Sequence, residues 1–283
     1  MRRPCGRRAA LRAVLTAVTA VLLLSGFLWS QQNLIHPETI EVTARKLPGA
    51  FDGLRVVIVS DVHGKQFGPD SRTLIRAVKK LSPDMIAITG DLIEHPGQME
   101  MVPPLARGLA DIAPTYYVTG NHEWAKKVVP ELQRVLEETG VTSLPNKTIP
   151  LERDGQRIFL MGLDDPNGIA GQKTVGELAD ELRETAGEGF ILLLAHRNNR
   201  AADYAAAGID LTLAGHAHGG LIRLPFTDGL VGPAREWLPT HTSGLYELPY
   251  GQMVVSRGLG NVGRTLRLFN RPHLPLVILH SAA

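Results

Sequence analysis

Seven side chains able to hold a metal ion fall in five short clusters: Asp61 with His63, Asp91 behind a glycine, Asn121 beside His122 and Glu123, His196, and His216 with His218. Imidazole and carboxylate donors suit Mn, Fe or Zn, whereas a magnesium site is usually all oxygen. Residues two apart in an extended segment point to the same side. The spacing therefore predicts that Asp61 and His63 converge on one point, as do His216 and His218. Two neighbouring cations need a shared anionic ligand, and Asp91, between the other groups in sequence, is the candidate. The chain has one cysteine, Cys5, which excludes an internal disulfide framework and a thiolate metal cluster.

Each cluster follows a short run that is apolar on both faces, at 55–59, 85–89, 115–118, 191–195 and 211–214. Such runs suit strands covered on both sides. Between them lie helix-like segments at 71–81, 103–110, 128–139, 175–185 and 201–207. Alternating strand and helix implies right-handed crossovers and a largely parallel core, in which ligands bind at the carboxyl ends of strands. The segment 149–163 carries Arg153-Asp154-Gly155-Gln156 between two β-rich runs, a hairpin signal. Short strands fill the C-terminal third. The expected fold is α/β, a four-layer α/β/β/α sandwich preceded by one N-terminal transmembrane or signal helix.

The ordered set D-x-H, G-D, G-N-H-[DE], a lone His and G-H-x-H resembles the calcineurin-like metallophosphoesterase superfamily over residues 54–218. The resemblance implies two divalent metal ions, one held by Asp61, His63, Asp91 and His218, the other by Asp91, Asn121, His196 and His216, with Asp91 bridging. It further implies that His122 is catalytic near the scissile phosphate, that Glu94 orients it, and that a hydroxide between the metals attacks phosphorus. Gly162-Leu163-Asp164-Asp165, Ser256-Arg257-Gly258-Leu259-Gly260 and 267–272 resemble the bacterial membrane-associated or exported branch with YkuE-like and YaeI-like members. Two departures touch substrate contacts: Arg197-Asn198-Asn199 stands where His-Asn-Pro-Asp is expected, and Leu221 where that branch often has Gln. Arg257 and Arg197 are candidate phosphate contacts, because a guanidinium offers paired donors.

The formal net charge is +2, but Arg2, Arg3, Arg7, Arg8 and Arg12 precede any acidic residue. The remainder is mildly acidic, so no specific nucleic-acid partner is expected. No residue from Ala13 to Ile35 is charged, long enough to span a hydrocarbon core. Residues 1–35 thus form a basic leader with a membrane anchor or signal, joined by a polar linker at 31–37 to a phosphoesterase domain at 36–283. The arginine bias puts the N-terminus in the cytoplasm and the domain outside; export after signal cleavage is the alternative. The expected partners are the membrane, through this helix, and a phosphorylated small-molecule or lipid substrate. The function expected is hydrolysis of a phosphodiester, pyrophosphate or phosphomonoester of the lipid or envelope fraction. The alternatives are a cytoplasm-facing hydrolase resembling the UDP-2,3-diacylglucosamine pyrophosphatases and a non-catalytic binding scaffold.

Overall fold

The five apolar runs become strands buried on both faces. A computed structural model describes residues 5–169, 171–220, 222–224, 229–232, 236–263 and 265–282; Arg2, Arg3 and Leu221 lie outside the described residues. The strands are β1 (His36–Ala44), β2 (Leu54–Val59), β3 (Met85–Thr89), β4 (Thr115–Val118), β5 (Thr142–Ser143), β6 (Lys147–Arg153), β7 (Gln156–Leu163), β8 (Ile191–Arg197), β9 (Leu211–Gly215), β10 (Ile222–Arg223), β11 (Gly229–Val231), β12 (Gly244–Glu247), β13 (Gln252–Val255) and β14 (His273–Ser281). The helices are α1 (Cys5–Asn33), α2 (Arg72–Lys80), α3 (Val102–Ala110), α4 (Asn121–Ala125), α5 (Val129–Glu138), α6 (Val175–Ala186) and α7 (Ala201–Ala206).

Two six-stranded sheets face each other, in the orders β1-β14-β2-β3-β4-β5 and β12-β13-β9-β8-β7-β6. Val56, Ile58, Ala87, Leu192, Leu194 and Leu213 meet in the apolar layer between them. A second apolar layer joins the first sheet to α2, α3 and α5 through Leu74, Leu105, Leu109, Leu132 and Leu136. A third joins the other sheet to α6 and α7 through Leu178, Leu182, Tyr204 and Leu193. Burial on both faces explains the lack of alternation in these strands: each feeds two apolar layers. The order of layers is α/β/β/α, and the hairpin forms with its turn at Asp154-Gly155, both at positive φ.

The segment 31–37 is not a linker. α1 runs on to Asn33, and β1 begins at His36 and pairs in parallel with β14 over nine residues, His36 to Ala44. The polar side chains that suggested a solvated connection are used as hydrogen-bonding groups, and Gln31 is buried.

α1 is the opposite case. Over Arg8–Asn33 it is long and apolar enough to cross a membrane, and from Arg8 to Gly26 every residue is exposed. Val21, Leu22, Leu23 and Leu24 all stand exposed around its circumference. A helix apolar on every side has no use for water, and this one is consistent with a signal or membrane anchor.

Candidate metal centre

The five clusters meet at the carboxyl ends of β2, β3, β4, β8 and β9. Among the described residues, ligand atoms of Asp61, His63 and His218 lie within 4.8 Å of one another, as do those of Asp91, His196 and His216. His218 Nε2 is 3.3 Å from Asp61 Oδ1 and 3.2 Å from His63 Nε2. Across the site, His196 Nε2 is 3.1 Å from Asn121 Oδ1 and 3.2 Å from His216 Nδ1. Between the two groups stands Asp91 Oδ2, 3.7 Å from His63 Nε2 and 3.3 Å from His196 Nε2.

These separations fit two cations. Donors about 2.0–2.2 Å from one tetrahedrally bound ion lie roughly 3.3–3.6 Å apart. Charge points the same way. Burial pushes the Asp61 carboxyl up to about 6. Burial also works against the charge on Asp91, yet His196, His63 and His122 outweigh it and hold that carboxyl well below the usual range. His63 is driven down to about 3 and His216 to about 2 by burial, and His218 also falls well below its ordinary value. Of the four histidines in the two groups only His196 rises, to about 10, because Asp91 and Asp61 overcome its burial. Three neutral imidazoles with lone pairs, and two buried carboxylates that make one histidine take up a proton, describe a site that calls for positive charge.

Convergence does not come from extended backbone, as the spacing alone suggested. Asp61, His63, Asp91, His216 and His218 all have positive φ, between 48° and 67°. Non-glycine residues there are uncommon and strained, and they concentrate where surrounding contacts over-determine the backbone. Those contacts are visible: Asp61 N–H donates to Gly90 O (3.1 Å), His63 N–H to Asp91 O (2.9 Å) and Gly260 N–H to Asp61 O (2.6 Å).

The acidic side chains are aimed by their other oxygens. Asp61 accepts from the Ser60 hydroxyl and from His216 N–H at 3.1 Å. Asp91 Oδ1 accepts from His122 N–H at 2.9 Å, leaving Oδ2 for the centre. Glu123 is fully buried and accepts from three backbone amides, Asp91 (3.1 Å), Leu92 (2.6 Å) and Gly120 (2.8 Å). Gly120 has no alternative, because a Cβ there would overlap Asp91 Oδ1. His196 is fixed by its Nδ1, 2.8 Å from Thr89 O.

The remaining predicted residues are placed as follows. His122 lies at the rim, its side chain 21% exposed and its Nε2 4.0 Å from Asp91 Oδ2. Glu94, expected to orient His122, instead accepts from Gly263 N–H at 2.9 Å, and no Glu94–His122 hydrogen bond occurs among the described residues. The Glu94 amide is capped by Gln98, whose 3-10 turn Pro96–Met101 follows directly and directs the chain away. Arg197 makes a two-pronged ion pair with buried Asp165 (2.6 and 3.1 Å), and its Nη1 is 2.9 Å from His216 Nε2. Arg257 sits beside Gly219 and is paired with Glu38 (3.2 Å) and Ser243 (2.9 Å). Sequence reasoning gave no role to Ser60, Asp165 or Asn270, whose side chain donates to His218 O at 2.7 Å; Asp165 and Asn270 lie in two of the segments that resemble the exported branch, whereas no local signal marks Ser60.

The Calcineurin-like phosphoesterase family model matches residues 54–220, more than half of the chain. The chain belongs to that family. It is 29% identical to the uncharacterised metallophosphoesterase YkuE of Bacillus subtilis (strain 168), over 97% of this chain and 98% of that one. A transmembrane protein with metallophosphoesterase domain from Danio rerio is 30% identical over 98% of this chain, which spans 63% of that relative's length. A solved dimetal phosphatase, also from Danio rerio, superposes with a TM-score of 0.46 at 11% identity, covering 73% of this chain and 88% of that one. With two ligand clusters in a phosphoesterase domain of this family, the protein is a metal-dependent hydrolase.

Proposed function

We propose that the protein hydrolyses a phosphoester of a lipid or cell-envelope component at a binuclear centre. One cation is held by Asp61, His63, Asp91 and His218, and the other by Asp91, Asn121, His196 and His216. The single observation that carries this is the position of Asp91 Oδ2, within 3.7 Å of donors from both groups. When bound, such a metal pair activates the nucleophile and offsets charge on the phosphoryl oxygens.

The chain's own residues do the rest. Asp91 and Asp61 would neutralise the cations, while the His122 amide on Asp91 and the Ser60 hydroxyl on Asp61 keep those carboxylates from rotating. His122, at the rim and within reach of solvent, gives its proton to the departing oxygen. Arg197 and Arg257 already have carboxylate partners, Asp165 and Glu38, so a phosphate would share them and not bind an unpaired guanidinium. The arginines at the N-terminus put the leader in the cytoplasm, which sets the catalytic body on the outer side of the membrane.

Purified full-length protein in detergent, stripped with chelator and reloaded with Mn, Zn or Fe, should hydrolyse bis(p-nitrophenyl) phosphate only after reloading. His122→Ala should bind the same metal and turn over on the order of 100-fold more slowly. Failure of every reloaded form on phosphodiester, phosphomonoester and pyrophosphate probes would remove the proposal.

A further inference from the structure

The last turn of α1 is joined to the support of the metal centre. Gln31 Oε1 accepts from Asn270 N–H at 3.2 Å, and the Asn270 side chain donates to His218 O at 2.7 Å. Lys65, two residues after His63, donates to Gln32 O, while Gln32 Nε2 donates to Arg267 O at 2.8 Å. The loops that carry His63 and His218 are thus within one or two hydrogen bonds of the helix. A helix end held in this way is no flexible tether: it sets the height of the centre above the end of the apolar run.

A second apolar surface starts at the same place. Phe269 packs its ring on Phe27, with centroids 5.4 Å apart. Its neighbour Leu268 bridges Ile222 of β10, β10 pairs with β11, and Val231 of β11 bridges Trp237. This ribbon leaves the His216–His218 loop and carries Leu266 (65% exposed), Phe269, Ile222, Leu224, Trp237 (77%) and Leu238 (71%) outward. Exposed apolar residues this close together mark a contact with a partner or a membrane. Continuity with α1 decides which: Phe27 lies where the apolar run ends, just before Trp29, Ser30 and Gln31, so Phe269 and the ribbon begin at the level of the bilayer interface, where Trp and other amphipathic rings prefer to sit.

We infer that this ribbon rests in the interface of the bilayer that α1 enters, so that the metal centre faces the headgroup layer and its substrate is a phosphoester carried by a lipid. The substrate class rests on the phosphoesterase reading above; the membrane seat does not.

The test uses the full chain in phosphatidylcholine–phosphatidylglycerol vesicles, with and without brominated acyl chains. In a Trp29→Phe background the brominated lipid should quench emission, and adding Trp237→Ser should abolish that quenching, with part-buried Trp124 as the unquenched reference. The combined Leu224→Ser, Trp237→Ser and Leu238→Ser variant should lose about tenfold in hydrolysis of a vesicle-borne phosphodiester lipid while keeping its rate on bis(p-nitrophenyl) phosphate. Trp237 emission that ignores the brominated lipid overturns the seat, including the case where a second protein covers the ribbon. Equal rates of the variant and the parent on the lipid overturn the substrate class. Quenching without hydrolysis of either probe upholds the seat and defeats the phosphoesterase reading instead.

Discussion

The carboxylate of Glu123, with no exposure to solvent, accepts the backbone amide of Asp91 at 3.1 Å and through the same oxygen that of Gly120 at 2.8 Å. One side chain thereby locks the two loops that bring the shared ligand and Asn121 together. Glu123→Gln exchanges an acceptor oxygen for an NH2 group that faces a backbone N–H. The expected cost is about 1–3 kcal/mol of stability, with metal affinity roughly 10- to 100-fold weaker. Thermal unfolding and metal titration of the same preparation measure both.

Gly120→Ala should act on the metals by a different route. Its φ of −104° is open to any residue, so the obstacle is space: the new methyl overlaps Asp91 Oδ1. Overpacking of this kind costs about 1–3 kcal/mol, and because the methyl would also stand 2.5 Å from the Asp91 backbone nitrogen, the Asp91 loop must shift together with its carboxylate. Elemental analysis should find metal lost at temperatures where circular dichroism still shows a folded chain.

Stability should fall in acid partly through Glu38 and His273, whose Oε2 and Nε2 are 2.9 Å apart. Burial holds the His273 imidazole down at about 3 from an ordinary 6.5, and the close approach of His273 Nε2 holds Glu38 at about 2 from 4.5. Both folded values lie below the unfolded ones, so as pH falls through 6.5 and then 4.5 the unfolded chain binds protons that the folded chain refuses. The stability these groups give is complete above pH 6.5 and drains away towards pH 3 and 2. In chelator-treated protein, His273→Asn, which keeps an acceptor for Arg257 N–H, should show a shallower loss of unfolding temperature between pH 6.5 and 3 than the parent.

Much of this was legible along the chain, and for a physical reason. Strands such as β3 and β8 feed apolar layers on both faces, so their sequences carry no polar residue until the strand ends, and the first polar groups after them are those of the site. His216 and His218 stand out for that reason. What was not legible depends on approach in three dimensions. The left-handed backbone at Asp61 and His63 is imposed by amides and carbonyls from residues 90, 91 and 260. Arg197 reads as a free phosphate contact until β7 brings Asp165 beside it. Gln31 and Gln32 read as a linker because their partners, Asn270 and Arg267, come more than two hundred residues later.

Metal stoichiometry in two variants tests the central claim most directly. His218→Ala removes a donor from one group only, so it should retain close to one tightly held ion where the parent holds a pair. Asp91→Asn weakens the oxygen common to both groups, so both ions should be lost together in a chain that remains folded. Retention of a full pair by Asp91→Asn, or loss of a single ion from it, would contradict a centre built around that shared carboxylate.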